Sequence, residues 1–406
     1  MSGLISQEII DQVQQRTNIV EIISNYLPLK RSGSNFKTLC PFHHEKTPSF
    51  MVNPSKQIWH CFGCGLGGNV FSFVMKYENL EFPQAIRLLG KNAGVAVPEF
   101  SSQTTVQRSL NKNIYRINEL AANYFHNNLL NQQKGKSATH YLRKRGITDE
   151  IVDKFRLGFS LNLWDGFLRF ARSKGEKEEF LSQAGMIIPR REGGFYDRFR
   201  NRLIFPIFDL QERVIGFGGR VLNEDLPKYI NSPETVLFNK GRCLYGLNLA
   251  KEQFRGKKYI IVVEGYMDNI TLYRAGIRNT VATLGTALTS EHARMLKRYV
   301  STIVIIYDAD QAGENASLRG LDILIEEGLR VRIVRLPEGS DPDSYLISKG
   351  KEDFEKKIKQ SQDLFGYKLD FLIAKYGTDK LEEQAEIIAE MLPTIARVDN
   401  AVLRSG

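Results

Sequence analysis

The 406-residue sequence predicts an α+β multidomain chain: a small ribbon-like N-terminal domain, a mixed α+β subdomain, a Rossmann-like α/β subdomain and a helical C-terminal segment. Three features carry that expectation. Three of the four cysteines crowd between positions 40 and 64; the polar stretch Ser101-Ser102-Gln103-Thr104-Thr105 follows Pro98; and from Tyr259 onward short apolar runs alternate with amphipathic ones. With 42% hydrophobic and 25% charged residues the chain has material for several cores, and disorder is not the default. These features divide it into residues 1–100, a linker at 101–112, then residues 113–256, 257–345 and 346–406.

Ser6 to Tyr26 has helical spacing through Ile9, Val13, Ile19, Ile22 and Ile23. Gly68 to Met75 and Pro83 to Leu89 read as a closing helical segment, with short strands expected before them. After the linker, Ile114 to Leu130 and Ser137 to Lys144 read as helices, followed by β-rich runs at Phe195-Tyr196, Arg202 to Phe208 and Val214 to Phe217. Beyond these, Tyr259–Val263, Thr280–Ala282, Thr302–Tyr307 and Arg330–Val334 are short apolar strands separated by helices, the mark of a mostly parallel sheet. Asp363 to Tyr376 and Lys380 to Leu392 close the chain as helices. No stretch approaches the roughly 18 apolar residues of a spanning helix, and Met1 to Leu27 is too charged for a signal peptide. A soluble, cytoplasmic protein with no membrane partner is expected.

The formal net charge of +10 is unevenly placed: residues 1–255 carry +12 and residues 256–406 carry −2. A basic front suits a polyanionic partner, and a near-neutral second part leaves room for carboxylates with another task.

Cys40-Pro41-Phe42-His43 and Cys61-Phe62-Gly63-Cys64 form two short-spaced pairs, C-x2-H and C-x2-C, 17 residues apart. Zinc takes four such ligands in a tetrahedron, and with all four positions filled the ion is structural rather than catalytic. The first domain is therefore expected to be zinc-ribbon-like. His44 also satisfies a looser spacing rule. Structural zinc contributes on the order of 10–16 kcal/mol in small modules, enough to hold a unit with little core. Phe36, Phe42, Phe50, Trp59 and Phe62 stand around the knuckles, interleaved with Lys30, Arg31, Lys37, Lys46 and Lys56. That pattern serves either single-stranded nucleic acid or a small aromatic core in a solvated shell.

Three acidic clusters fall just beyond the apolar runs: Glu264 and Asp268, Asp308 and Asp310, Asp341 and Asp343. Ligands of an open parallel sheet bind outside the carboxyl ends of its strands, where segments distant in sequence converge. Hard oxygen ligands with no neighbouring His or Cys suit Mg2+ or Mn2+. Two or more such ions would serve in-line phosphoryl transfer, with Glu264 either a metal ligand or a general base.

With these motifs in hand, the chain resembles the bacterial DnaG-type primases over nearly its whole length. The resemblance is carried, in the family's order, by Cys40–His43, Cys61–Gly68, Val214–Arg220, Pro227–Pro233, Val263–Asp268 and Tyr307–Gly313. It implies a zinc-binding domain, then an RNA polymerase domain whose catalytic centre is a TOPRIM fold, making short RNA primers from ribonucleoside triphosphates on a single-stranded DNA template. It further implies Glu264, Asp308 and Asp310 as catalytic metal carboxylates, with Asp268, Asp341 and Asp343 in the same centre. Arg198, Arg202, Arg220, Lys228, Asn231 and Lys240 correspond to the strip that holds template and nucleotide phosphates. The family continues into a domain that docks on the replicative helicase. Because this sequence stops at Gly406 within helical patterning, the expectation is a truncated polymerase domain, part of a longer chain, without the helicase-docking domain. The same carboxylates in a topoisomerase or nuclease would break DNA instead, and a non-catalytic single-strand binder would leave them unexplained.

Overall fold

The computed structural model describes residues 5–43, 45–78, 80–97, 105–223, 225–254, 258–306 and 321–397. They belong to two compact units, residues 1–108 and 109–406. In the first, five short strands form an antiparallel sheet in chain order: β1 (Lys30–Ser32), β2 (Asn35–Thr38), β3 (Phe50–Asn53), β4 (Ile58–Cys61) and β5 (Gly67–Gly68). Helices Gln7–Arg16, Ile19–Ser24, Val70–Tyr77 and Phe82–Ala93 pack with it. The single helical run expected over Ser6–Tyr26 is broken at Thr17, because the Asn18 side chain accepts from the Val20 N–H at 2.9 Å and caps a new helix. Phe50 and Trp59 are buried and stacked, centroids 5.0 Å apart, with the Phe73 ring edge-on to both. Those aromatics are core; Phe62, 75% exposed, is not.

A helix over Thr105–Leu130 runs into the second unit, so residues 105–112, read from sequence as linker, are helical. Their polar composition masked a helix whose apolar face begins in earnest only at Ile114. Four antiparallel strands follow in the spatial order β11 (Tyr229–Asn231), β10 (Val214–Val221), β9 (Arg202–Phe208) and β6 (Gly158–Ser160), with a separate hairpin of β7 (Ile187–Pro189) and β8 (Phe195–Asp197). The alternating region forms one sheet, ordered β13 (Thr280–Ala282), β12 (Ile260–Val263), β14 (Thr302–Ile306), β15 (Arg330–Val334) and β16 (Gln362–Asp363). Its first three pairings are parallel, as expected, and β16 adds an unexpected antiparallel edge. β12 and β14, buried on both faces, read as nearly unbroken apolar runs. The last two described helices are Leu364–Tyr376 and Leu381–Ala396; the latter passes through Pro393, where the sequence reading stopped it. Among the described residues no helix is long and apolar enough to cross a membrane.

One buried histidine fastens the turn that carries Lys240. His292, fully buried on the helix Ser290–Lys297, has Nε2 3.0 Å from the Lys240 carbonyl and 3.1 Å from that of Cys243, so Nε2 carries the proton and donates to both. Its Nδ1 accepts from the Thr289 N–H at 3.4 Å, and the Thr289 hydroxyl donates to the Gly241 carbonyl at 2.6 Å. Burial holds the imidazole pKa below its usual value, against the opposing pull of the two carbonyls. The native ring therefore stays neutral while the unfolded ring, at its ordinary 6.5, gains a proton, so acid favours unfolding. In urea titrations between about pH 7 and pH 5.5, wild type should lose up to about 1 kcal/mol more than His292→Gln. Equal losses would remove His292 from the acid response.

Candidate metal centres and nucleic-acid interface

In the first unit the β-ribbon brings Cys40, His43, Cys61 and Cys64 together, with ligand atoms all within 4.8 Å of one another. Cys61 ends β4, and the following turn closes through Gly65 N–H to the Cys61 carbonyl at 2.9 Å; Gly65 has a φ of +73°, which favours glycine. Cys40 Sγ and Cys64 Sγ stand 3.9 Å apart, and His43 Nδ1 and Cys61 Sγ 3.8 Å. The edges of a zinc tetrahedron with S and N ligands are about 3.6–3.8 Å, so these two edges are close to those zinc requires and the donor set suits that ion. Burial alone would raise the Cys61 thiol, but its contact with Ser49 Oγ and hydrogen bonds from the Cys64 and Gly63 N–H groups bring it down to about 7. His43 is thus the histidine at the cluster; His44 lies outside the described residues.

In the second unit Glu264 follows β12 directly and is partly buried. Asp268, three residues into the next helix, accepts from Gly265 N–H on one oxygen at 3.0 Å and from Asp343 N–H on the other at 3.2 Å. The first and third acidic clusters therefore meet. Asp341 is the N-cap of the helix Pro342–Lys349, accepting from Ser344 N–H at 2.6 Å, with Pro342 at the first helical position. Asp343, 2% exposed, accepts from the Thr271 hydroxyl at 2.7 Å and forms an ion pair with Arg145. Asp308 and Asp310 lie outside the described residues, immediately beyond the strand that neighbours β12.

The six residues read as a phosphate-holding strip do not form one exposed face. Arg202, 8% exposed, donates to the carbonyls of Gly219, Pro227 and Lys228 at 3.4, 3.0 and 3.3 Å. Its guanidinium braces the loop that presents Lys228, because an inward-facing strand position spends its donors on backbone. Arg198 is half-buried and donates from Nε to the Gly185 carbonyl at 2.9 Å. The Asn231 amide lies between the Leu284 carbonyl at 3.2 Å and the Tyr266 hydroxyl at 2.6 Å. That contact is possible because Gly218 leaves room for the Tyr266 ring; a Cβ there would meet it at 2.3 Å. Lys228 is exposed, Lys240 partly so.

Arg220 lies between two aromatic rings, 5.0 Å from the Tyr141 centroid and 5.3 Å from that of Tyr229, donating to the Tyr229 hydroxyl at 3.0 Å. Sequence reasoning missed Tyr141 and Arg145. Tyr141 lies on a surface-patterned helix and Arg145 just past its end, and nothing within a short window marks them as neighbours of an acidic cluster some 200 positions later. The guanidinium groups of Arg200 and Arg190 lie 4.4 and 5.8 Å from the ring of exposed Trp164, an aromatic set among alternating arginines.

Comparison with known proteins matches four segments of the chain. Residues 5–105 match the CHC2 zinc finger, 124–251 the N-terminal domain of the DNA primase catalytic core, 261–346 a Toprim-like domain and 365–406 the DnaB-helicase binding domain of primase. The last match overturns the expectation that helicase-docking sequence is absent. The helices Leu364–Tyr376 and Leu381–Ala396 have the same 3.6-residue periodicity whichever domain they serve, so pattern alone assigned them to the wrong one. The DNA primase of Clostridium acetobutylicum is 43% identical over 98% of this chain and 66% of its own length; that of Pseudomonas aeruginosa, 42% over 100% and 62%; that of Escherichia coli K12, 39% over 100% and 70%. The chain thus spans about two thirds of the length of these relatives. Among solved structures, the Aquifex aeolicus primase (zinc binding and RNA polymerase domains) aligns with a TM-score of 0.63 at 35% identity, over 98% of this chain and 94% of that one. The DnaG primase catalytic domain bound to ssDNA aligns with a TM-score of 0.67 at 37% identity, over 73% and 97%.

The Arg145–Asp343 pair yields a stability test. Removing Arg145 leaves a carboxylate buried without its counter-charge, and because Arg145 is itself 28% exposed the cost falls at the lower end for such pairs, about 2–3 kcal/mol. Urea unfolding of Arg145→Ala should show that loss, and Asp343→Asn in the same background should recover part of it. A variant as stable as the parent would mean that the pair holds nothing.

Proposed function

Since this chain belongs to the DnaG-type DNA primase family, we propose that it synthesises short RNA primers on single-stranded DNA from ribonucleoside triphosphates by divalent-metal-assisted nucleotidyl transfer. The observation that carries the reading is the Asp268–Asp343 junction, which sets the Glu264 turn beside the Asp341-Pro342-Asp343 segment at the carboxyl side of a parallel sheet. Glu264, Asp308 and Asp310 are the proposed catalytic carboxylates, with Asp341 beside them and Asp268 and Asp343 acting chiefly to hold the segments in place. Two Mg2+ or Mn2+ ions in that crevice would activate the attacking hydroxyl and stabilise the departing pyrophosphate.

Lys228 and Lys240 are the proposed contacts to template and nucleotide phosphates, and Arg220, stiffened between two rings, presents a fixed guanidinium to the same polyanions. Cys40, His43, Cys61 and Cys64 hold one structural zinc. The partner proposed for residues 365–406 is the replicative helicase, and the exposed Leu381, Ile388 and Leu392 offer apolar surface to it.

Incubation with unprimed single-stranded DNA, ribonucleotides and Mg2+ should give short labelled RNA. Asp310→Asn keeps side-chain volume while removing one charge from the metal site. Primer synthesis should fall at least about a hundredfold with fold and DNA affinity intact, since each 1.36 kcal/mol is about tenfold in rate. Near wild-type synthesis would move the centre elsewhere, and a covalent DNA adduct in place of RNA would indicate strand cleavage. Lys228→Ala should weaken single-strand binding and lower the slope of log affinity against log salt by about 0.7. Loss of thermal stability with an unchanged slope would make Lys228 structural.

A further inference from the structure

Beside the zinc cluster stands a carboxylate that no part of the functional reading uses. Glu45 is 10% exposed, and its contacts converge from three directions. Its Oε1 accepts from the N–H of Cys40 at 2.7 Å and of Ser49 at 3.1 Å. Its Oε2 accepts from the Ser49 hydroxyl and lies 3.1 Å from His43 Nε2. The same Ser49 Oγ is 3.1 Å from Cys61 Sγ. Gly63, inside the second knuckle, permits this crowding: a Cβ there would lie 2.6 Å from His43 Nε2 and 2.8 Å from Ser49 Oγ.

An imidazole that binds a metal through one nitrogen must carry its proton on the other. His43 turns Nδ1 toward Cys61 Sγ and Nε2 toward Glu45. We propose that Glu45 is a positioning residue of the zinc site: it accepts the Nε2 proton of His43, fixing Nδ1 as the metal-binding nitrogen, while its other oxygen holds the loop of the first knuckle in register. A carboxylate behind a ligating histidine orients the ring and raises its basicity, and removal of such a partner typically weakens metal binding ten- to a hundredfold. The inference rests on the zinc reading of the four-residue cluster.

Glu45→Gln tests it with little change of shape. A glutamine cannot serve all these donors: with its carbonyl toward Cys40 and Ser49, its NH2 meets the Nε2 proton of His43, donor against donor. Chelator competition on the full chain should show zinc affinity falling ten- to a hundredfold in Glu45→Gln. In a His43→Cys background, where no ring proton needs an acceptor, the same change should cost less than about threefold. In the zinc-loaded full chain, nitrogen-15 NMR should show a hydrogen-bonded Nε2 proton on His43 that is shifted or lost in Glu45→Gln, a readout independent of the His43→Cys protein. Equal losses in both backgrounds, or an unchanged Nε2 proton, would reduce Glu45 to a loop brace and overturn the proposal. A wild-type chain that binds no zinc would overturn the zinc reading itself, and the proposal with it.

Discussion

A carboxylate as buried as that of Asp343 has to be matched where it sits, and the matching organises the larger unit. Arg145, just past a helix of the α+β region, supplies the counter-charge; Thr271, on the helix after β12, supplies a hydroxyl; and the N–H of Asp343 itself goes to Asp268. Three segments far apart in sequence are thereby tied to one point, and the tie continues through Asp268 to Gly265, the residue after Glu264. In a low-dielectric setting each partner is expensive to lose, which makes the arrangement rigid as well as specific. The turn bearing Glu264 has its position set from behind by groups that need never touch substrate.

The same logic runs through the basic residues. A guanidinium at an inward-facing strand position either finds carbonyls or does not stay, and Arg202 finds three, two of them in the loop from Pro227 to Lys228. Its charge is spent on shaping the loop, while Lys228 at that loop's surface remains with solvent. His292 does for the Lys240 turn what Arg202 does for the Lys228 loop. In both places a buried donor on one element fixes a cation on another, so the sequence spacing of the cations says little about which of them meets a ligand.

Local chemistry was legible and long-range matching was not. The knuckle spacing of Cys40, His43, Cys61 and Cys64 announced a cluster because zinc geometry is imposed within a few residues, and β12 and β14 were readable to within one residue because strands buried on both faces leave nearly unbroken apolar runs. Arg145 was invisible because its partner lies 198 positions away, and Asp341 was ambiguous because Asp-Pro suits a metal loop and an N-cap equally. Thr105 to Lys112 misled for a related reason: polar residues at the start of a long helix look like linker until the apolar residues recur. The assignment of residues 365–406 failed where periodicity is blind to partner.

The acidic centre as counted from sequence holds six carboxylates, a charge density that would oppose its own assembly unless some of it were neutralised from within. Asp343 is answered by Arg145 and Thr271, Asp268 by two backbone N–H groups, and Asp341 by the helix start it caps. Each of these contacts engages a carboxylate oxygen without requiring a metal. In the function proposed above, cation binding is assigned to Glu264 and to the pair at 308 and 310, whose places in the sequence follow two neighbouring parallel strands. A centre built this way has its scaffold in place before a divalent ion arrives, so ion binding need not organise the fold. That is the reverse of the zinc unit, where the ligands sit in turns between short strands and the ion supplies what a small core cannot.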